Sequence, residues 1–278
     1  MLTVAGVQMN VVFGKREQNL ARIEHALDET ARRGARLVVF PECAVPGYCF
    51  ESLAEALPLA ETLPGPSTER LARRCRELQL HVVFGLLERD GPRVFNAAAL
   101  VGPEGYVAGY RKIHLPFLGV DRFTTPGDRP FAVHQAGELR MGMNICYDGA
   151  FPEAARVMAL EGADLIALPT NWPPGAECTA DCVIAARAME NNVYYLAVNR
   201  VGTERGFRFI GKSKVCDPAG RVLAEAQHED EAILYAEIDL ERARRKRVIR
   251  VPGLHEIDRF ADRRPEMYGK IVEPKQPI

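Results

Sequence analysis

The first third of the chain alternates between short β-rich runs and one long stretch with helical spacing. Residues 2–8 and 36–40 are runs rich in valine and leucine, a pattern typical of strands. Residues 16–34 carry apolar side chains on one helical stripe and end in a glycine, a common stop for a helix. A basic helix over 69–78 and a strand over 81–87 are predicted to follow.

In the middle of the chain, strands joined by turns replace the alternation of strands and helices. Two β-rich runs at 93–101 and 106–113 flank a Gly-Pro-Glu-Gly turn, and this arrangement predicts a hairpin. A loop is predicted over 114–130, and two short strands are predicted at 131–135 and 139–145.

The second half returns to alternating helices and strands. Helices are predicted at 152–162 and 177–191, and strands at 164–169, 193–199 and 232–240. Two further strands are predicted, one on each side of an Asp-Pro-Ala-Gly turn. This order predicts two mixed sheets faced by helices. We expect a single domain over residues 1–278, with an extended tail from about residue 251 because that segment is rich in proline and charge.

Composition narrows the possible partners. The 278 residues include 36 Lys and Arg against 37 Asp and Glu, a net charge of −1, so no overall field attracts nucleic acid or a membrane surface. No run approaches the ~20 apolar residues of a membrane span, and the first residues lack the features of a signal peptide. The basic run 241–250 is expected to be a solvated helix face or a subunit contact. We therefore predict a cytoplasmic protein.

The seven cysteines are scattered and include no Cys-x-x-Cys pair, which is typical of reduced thiols in a cytoplasmic protein. Cys178 and Cys182 are four residues apart and can share a helix face, but no third ligand lies near them in the sequence. We therefore predict no metal site.

Three residues with complementary chemistry follow predicted strands. Glu42 follows the strand at 36–40, Lys112 ends the hairpin, and Cys146 follows the strand at 139–145. In α/β folds, ligands collect where strands end, so tertiary folding can bring these side chains together. Taken singly, each also has an ordinary explanation as a packed cysteine, a solvated glutamate or a surface lysine.

Together, a carboxylate, an ammonium and a thiol suffice for acyl transfer. A free thiol has a pKa near 8.5, so only about 3% is ionised at pH 7 and a base is needed. A carboxylate can take the proton, and the ammonium can stabilise the oxyanion that forms when sulfur attacks a carbonyl carbon. The protonated carboxyl can then donate to the leaving amine and later activate water against the thioester.

Three sequence blocks surround these residues: VVFPECAVPGY, GYRKIHLP and MGMNICYDGAFPEAARVMALEGADLIALPTNW. In this order and with these flanks, they resemble the signature blocks of the nitrilase superfamily, the carbon–nitrogen hydrolases. The segments ARAMENNVYYLAVNRVG and GKSKVCDPAGRVLAEA are also similar, so that the resemblance covers about residues 2–240.

The resemblance implies an α/β fold, a four-layer α-β-β-α sandwich with two mixed sheets. It implies that Glu42 is the general base and acid, Lys112 the oxyanion stabiliser and Cys146 the nucleophile, presented on a sharp strand-to-helix turn. The main-chain N–H of Tyr147 would complete the oxyanion pocket. It implies neither a cofactor nor a metal.

One feature departs from the family pattern. Many members carry a further glutamate in the loop after the lysine strand, and Val120 stands at the corresponding position here. Asp121 is adjacent, and whether it substitutes for that glutamate is left open. His114 is interpreted as structural support, since the three catalytic residue types need no histidine.

The segment CYDGAFPE resembles the amidase and N-carbamoylase branches, whereas true nitrilases more often have tryptophan and glutamate after the cysteine. We therefore expect hydrolysis of a small carboxamide or N-carbamoyl amine, with release of ammonia. Nitrile hydrolysis and an inactive scaffold of the same fold are the alternatives. The residues expected to line the substrate pocket are Tyr48, Phe117, Asp121, Asn171 and Trp172.

Family members commonly form dimers through helices beside the cysteine strand, and larger assemblies occur. The resemblance therefore implies a homodimer or a larger homo-oligomer. The segment PEAARVMALEG is the candidate surface for this contact, although it can equally serve only to cover the sheet.

Overall fold

The structure is a computed structural model that describes residues 1–274. The chain divides into two compact units, Met1–Arg244 and the segment that begins at Arg245. Among the described residues, no helix combines the length and the apolar character needed to cross a bilayer.

The first unit is built from strands that alternate with helices. Its strands are β1 (Leu2–Gln8), β2 (Ala35–Val39), β3 (His81–Asp90), β4 (Arg93–Gly102), β5 (Gly105–Arg111), β6 (Val133–Ala136), β7 (Leu139–Met143), β8 (Leu165–Thr170), β9 (Tyr194–Asn199), β10 (Val201–Glu204), β11 (Phe207–Ile210), β12 (Lys214–Cys216), β13 (Val222–Glu225) and β14 (Ala232–Ile238). Its α-helices are α1 (Arg16–Arg32), α2 (Leu53–Ala56), α3 (Pro66–Leu78), α4 (Pro152–Leu160), α5 (Ile184–Asn191) and α6 (Leu240–Arg244).

Two six-stranded mixed sheets form the centre of this unit. The first has the order β14-β1-β2-β3-β4-β5, and the second has the order β13-β12-β9-β8-β7-β6. In each sheet three parallel strands, β1-β2-β3 or β7-β8-β9, are flanked on both sides by antiparallel strands. The two sheets therefore repeat the same arrangement.

The two sheets pack face to face and the helices cover their outer faces. A methyl group at Gly6 of β1 would lie 2.9 Å from Val198 Cγ2 of β9, so the sheets approach closely at this point. On the other face of β1, Ala5 and Val7 belong to one core cluster with residues of α1 and α3. In the second sheet, Gly142 of β7 lies against Met158 of α4. This confirms the predicted α/β fold, a four-layer α-β-β-α sandwich with two mixed sheets.

Most predicted elements are found, with boundaries that shift by a few residues. Helix α3 begins at Pro66 rather than at residue 69, because proline is favoured at the first helical position and Thr68 Oγ1 accepts a hydrogen bond from the N–H of Gly65. The helix predicted over 177–191 is found with these bounds, and one π-helical turn, Thr179–Val183, lies within it before α5.

The sequence patterns did not predict the hairpin formed by β10 and β11. Each strand has only four residues and carries charged side chains, so neither shows a clear apolar alternation. The chain reverses at Arg205 and Gly206, which both have positive φ, of 50° and 85°.

The second unit also differs from the extended tail predicted from about residue 251. Strand β15 (Arg247–Val251) pairs with β16 (His255–Asp258) in an antiparallel hairpin. The turn forms because Gly253 adopts a φ of +69° and the N–H of Leu254 donates to the carbonyl of Val251. Residues 275–278 of the predicted tail lie outside the described residues. The single domain over residues 1–278 stays a prediction.

Candidate active site

The candidate residues lie just beyond the ends of three strands. Glu42 follows β2 and Lys112 follows β5. These two strands run in the same direction, so their carboxyl ends lie on the same side of the first sheet. Cys146 follows β7 in the second sheet. The Cys146 thiol lies near enough to Glu42 and Lys112 for both charges to shift its pKa, so the three side chains share one region.

Glu42 is placed by a close approach between its loop and strand β3. Gly85 of β3 has its N–H bonded to the carbonyl of Pro41 and its carbonyl bonded to the N–H of Val45, at 3.1 Å each. A methyl group at Gly85 would lie 2.7 Å from Glu42 Cα, and closer still to Cys43 N. Glycine is therefore the residue that lets this loop lie directly on the strand.

Lys112 is fully buried between two carboxylates. Its Nζ donates to Glu42 Oε1 at 2.7 Å and to Asp121 Oδ2 at 2.5 Å. Asp121 is thus the second carboxylate on the lysine, whereas Val120 is a buried apolar residue that packs in a core cluster. The structure places Asp121 where it can orient the lysine ammonium.

Two further side chains hold this pair of carboxylates in place. Asn96 of β4 donates both N–H groups of its amide, to Glu42 Oε1 at 2.7 Å and to Asp121 Oδ1 at 2.8 Å. The hydroxyl of Tyr48 donates to Asp121 Oδ2 at 2.8 Å. Because each of these groups is buried, the network has little freedom to rearrange.

The charges in this network shift one another's pKa. Burial by itself lowers the pKa of Lys112, but the charges of Asp121 and Glu42 outweigh it, so the pKa lies well above its ordinary value. Burial raises the pKa of Glu42 above its ordinary value of 4.5; Lys112 opposes this rise and Asp121 adds to it. The lysine is therefore held as a cation, and the glutamate binds a proton more readily than a solvated one.

Cys146 lies on a sharp turn between β7 and α4. It has a φ of +48° and begins a short 3₁₀-helix, Cys146–Ala150. The carboxylate of Asp148 holds this turn by accepting from the N–H of Ile145 at 3.0 Å and from the hydroxyl of Tyr110 at 2.7 Å. A left-handed backbone at a non-glycine residue is strained, and such strain occurs often at functional sites.

His114 supports the same turn. Its main-chain N–H donates to Asp148 Oδ1 at 3.0 Å, and its Nδ1 lies 2.7 Å from the same oxygen. Its ring stacks on Phe151, with centroids 3.6 Å apart. The residue therefore joins the loop after Lys112 to the turn that carries Cys146.

Cys146 is a buried residue, 8% exposed, and the pKa of its thiol is strongly affected by its surroundings. Burial and then the charge of Glu42 raise its pKa to about 12, while Lys112, the Thr170 hydroxyl and the main chain of Asn171 lower it. The thiol is therefore protonated at neutral pH, and its reaction as a nucleophile requires a base at the moment of attack.

Several buried polar atoms in this region have no hydrogen-bond partner among residues 1–274. They are Glu42 Oε2 and both Nδ2 and Oδ1 of Asn171. Buried polar groups are nearly always hydrogen-bonded in folded proteins, so a cluster of exceptions needs an explanation. A polar ligand that bonds to these atoms would supply it.

The other candidate residues fall into two groups. Tyr48, Asn171 and Trp172 are buried, and the main chain of Trp172 is fixed by Asn199 of β9. The side chain of Phe117 is 90% exposed and lines an outer cleft with Arg122 and six other residues. A role of Phe117 in substrate binding stays a prediction.

Tyr147 and the cysteine pair also have defined positions. The ring of Tyr147 is 43% exposed and contacts Phe151 edge to face. Cys178 and Cys182 are exposed free thiols. Within residues 1–274, no three His, Cys, Asp or Glu side chains are grouped so as to hold a metal ion.

The residues that sequence reasoning missed are Asn96, Asp148 and Tyr110. Each contacts a candidate residue or its turn through a buried hydrogen bond. For Asn96 the signal was present, because it is a polar residue inside the apolar run VFNAAALV. For the other two, only the tertiary contacts reveal the role.

Comparisons with known proteins identify the family of this chain. A family model described as "Carbon-nitrogen hydrolase" matches residues 3–248. A "Nitrilase" from Pyrococcus abyssi is 41% identical over 273 residues, which are 96% of this chain and 99% of that protein. The human "Omega-amidase NIT2" is 31% identical over 278 residues and 94% of each chain.

A solved structure supports the same relationship. The crystal structure of an amidase from Nesterenkonia sp. superposes with a TM-score of 0.81 at 25% identity. The match covers 98% of this chain and 96% of that one.

Gly85→Ala is expected to lower the free energy of unfolding by about 1–3 kcal/mol, because the added methyl group meets main-chain atoms that cannot rotate away. Urea denaturation measures this loss. Gly142→Ala is the control, since the nearest atom there is the flexible thioether of Met158, and a smaller loss is expected. Wild-type stability of Gly85→Ala would contradict the close approach of the Glu42 loop.

Proposed function

The chain belongs to the carbon–nitrogen hydrolase family, and from this premise we propose that it hydrolyses a small carboxamide or N-carbamoyl amine through a thioester on Cys146. Its activity at the family level is that of an amidase-type or nitrilase-like hydrolase. The observation that carries the proposal is the unpartnered Oε2 of Glu42, in a carboxylate whose other oxygen is fixed by Lys112.

Glu42 acts as the general base in the first step. The thiol of Cys146 has a pKa of about 12, so its proton has to leave as the sulfur attacks the substrate carbon. Glu42 Oε2 is free to accept that proton, while Oε1 keeps its bonds to Lys112 and Asn96. A carbon–sulfur bond forms, and the carbonyl oxygen becomes negatively charged.

Lys112 stabilises that oxyanion together with the main-chain N–H of Tyr147. The carboxylates of Asp121 and Glu42 keep the lysine charged, because they raise its pKa well above the ordinary value. A fixed cation beside a developing oxyanion lowers the barrier, and removal of one such donor typically costs about 10²–10³ in rate. Asp121 acts through Lys112 by holding the ammonium in position.

The remaining steps reuse Glu42. Its carboxyl group, now protonated, donates to the leaving nitrogen as the carbon–nitrogen bond breaks and ammonia departs. Glu42 then takes a proton from water, which attacks the thioester, and returns that proton to the sulfur as the carbon–sulfur bond breaks, so that the acid product leaves and the free thiol is restored. The unpartnered amide of Asn171 offers hydrogen bonds that orient the substrate. We propose no cofactor for these steps.

Nitrile hydrolysis is the second candidate, and the relative from Pyrococcus abyssi named "Nitrilase" favours it. The same three residues can attack a nitrile carbon, so the site alone does not choose between the two substrates. An inactive scaffold is the third candidate. Assays on a panel of amides, N-carbamoyl amines and nitriles separate all three.

The purified protein is expected to release ammonia from at least one small carboxamide or N-carbamoyl amine in a panel that also contains nitriles. Cys146→Ala is expected to lower this rate by about 10⁴-fold or more, because the nucleophile is lost. The control is Cys75→Ala, which removes another buried thiol, from α3. Mass spectrometry of the substrate-treated protein is expected to find an acyl group on Cys146.

Turnover of nitriles alone would replace the amidase proposal with the second candidate. If no compound is hydrolysed while the protein is folded by circular dichroism, the scaffold reading is supported.

The value of kcat/KM is expected to rise with pH through an apparent pKa above 4.5, because a general base works only when ionised and burial raises the pKa of Glu42. Initial rates across a pH series, with circular dichroism at each pH to confirm the fold, measure this limb. Glu42→Gln is expected to abolish the activity. An acid limb centred below pH 4.5 would be inconsistent with Glu42 as the base.

We also propose that the protein forms a homodimer or a larger homo-oligomer in the cytoplasm. Helix α4 directly follows the Cys146 turn and exposes two apolar side chains, Val157 and Leu160, one helical turn apart. Exposed apolar side chains on one helix face are typical of subunit contacts.

Leu160→Glu is expected to shift the protein toward the 30.8 kDa monomer in light scattering, because a charge replaces an apolar contact. Leu223→Glu, which changes an exposed leucine on β13, is the control and should leave the mass unchanged. A wild-type protein that is already monomeric would overturn this proposal.

A further inference from the structure

A buried ion pair lies at the hairpin that follows β9. The side chains of Arg200 and Glu204 are 0% and 2% exposed, and Arg200 Nη1 lies 2.7 Å from Glu204 Oε2. A buried ion pair seldom adds net stability, because its desolvation cost is close to its Coulomb gain. The pair is therefore better explained by the neighbouring groups that it holds in place.

Glu204 binds the main chain of the loop that contains Tyr48. Its Oε1 accepts hydrogen bonds from two successive N–H groups, those of Tyr48 at 2.8 Å and Cys49 at 2.6 Å. Gly47, just before them, has a φ of +92°, and a methyl group there would lie 3.1 Å from Glu204 Oε2. The loop thus closes tightly over the carboxylate.

Tyr48 connects the loop held by Glu204 to Lys112. Its hydroxyl donates to Asp121 Oδ2 at 2.8 Å, and the same oxygen accepts from Lys112 Nζ at 2.5 Å. Gly119, in the loop that carries Asp121, packs on the tyrosine ring, since a methyl group there would lie 2.6 Å from Tyr48 Cδ1. Direct contacts therefore join Glu204 to Lys112 through Tyr48 and Asp121.

We propose that Glu204 is a positioning residue for Lys112: its carboxylate fixes the main chain at Tyr48, and Tyr48 in turn fixes Asp121 and the lysine ammonium. This inference rests on the proposed function, in which Lys112 stabilises the oxyanion. Glu204 itself contacts neither Glu42 nor Lys112 through a hydrogen bond.

The role of Arg200 follows from the same geometry. A carboxylate that accepts two N–H groups makes stronger hydrogen bonds than a neutral acceptor, but it needs a countercharge when it is buried. Arg200 provides that charge, donates to the carbonyl of Val11 at 2.8 Å and stacks on Phe209. It is therefore fixed independently of Glu204.

Two substitutions separate positioning from stability. Glu204→Gln keeps an oxygen for both N–H groups when its amide nitrogen replaces Oε2 and faces Arg200, a donor against a donor that costs stability. Glu204→Ala removes the oxygen, and both variants leave Arg200 buried without its countercharge. Both variants are therefore expected to lose stability in urea denaturation. Only Glu204→Ala is expected to lower kcat, by about 10- to 100-fold with KM changed less than about threefold, because the lysine is displaced while substrate contacts remain.

A second readout needs no turnover. Lys112 lowers the pKa of Cys146, so displacement of the ammonium should leave less thiolate at a given pH. Alkylation of Cys146 by iodoacetamide, followed by mass spectrometry, is expected to be about tenfold slower in Glu204→Ala than in Glu204→Gln, since one pKa unit changes the thiolate fraction tenfold. Cys178 and Cys182, which are exposed, act as internal standards in the same sample.

Asp164→Asn is the matched control. Asp164 is also a fully buried carboxylate paired with arginine, Arg140 and Arg244, but it precedes β8, at the opposite end of that strand from Thr170. It is expected to lose stability without a change in Cys146 alkylation. Should neither Glu204 variant fold, Tyr48→Phe tests the next contact, and it is expected to slow the alkylation of Cys146.

Equal kcat and equal alkylation rates in folded Glu204→Ala and Glu204→Gln would overturn the inference, as would an unchanged alkylation rate in Tyr48→Phe. If the wild-type protein hydrolyses no amide, the proposed function fails, but the alkylation rates still test whether Glu204 positions Lys112.

Discussion

A lysine ammonium held between two buried carboxylates is the interaction on which the rest of the site depends. Moving an ion out of water costs several kcal/mol, and the cost is offset only when partners of opposite charge and good geometry surround it. Lys112 meets this condition because Glu42 and Asp121 each accept one of its hydrogen bonds. The same condition makes the carboxylates depend on the lysine, because its removal would leave two buried carboxylates side by side without a cation.

The two carboxylate oxygens of Glu42 have different roles in this arrangement. One oxygen is committed to Lys112 and Asn96, and the other has no partner among residues 1–274. A carboxylate that is both fixed and half unsatisfied can exchange a proton without moving, which suits a group that has to act first as a base and then as an acid. Burial raises the pKa of the Cys146 thiol, so the thiol is protonated at rest and needs such a base to remove its proton.

The sequence was informative about strands and about the residue types at their ends. Apolar runs predicted β2, β5 and β7 closely, and local motifs pointed to Glu42, Lys112 and Cys146. The supporting contacts were harder to predict, because Asn96 and Asp148 are separated in sequence from the groups that they bind and no local pattern records such pairing. The hairpin that carries Glu204 was missed because its short strands have mixed polarity. Local patterns therefore predict elements better than the contacts between them.

The pairing of β1 with β14 joins the beginning of the first unit to its end, since Leu2 lies opposite Ile238. Until the ribosome has released β14, one side of β1 is an unpaired sheet edge, which is a surface prone to mispairing with other chains. Contacts between residues so distant in sequence are slow to form, because a long loop has to close first. Strand β1 of a nascent chain consequently depends on residues synthesised much later for its protection, and a chain truncated before β14 would carry that exposed edge permanently.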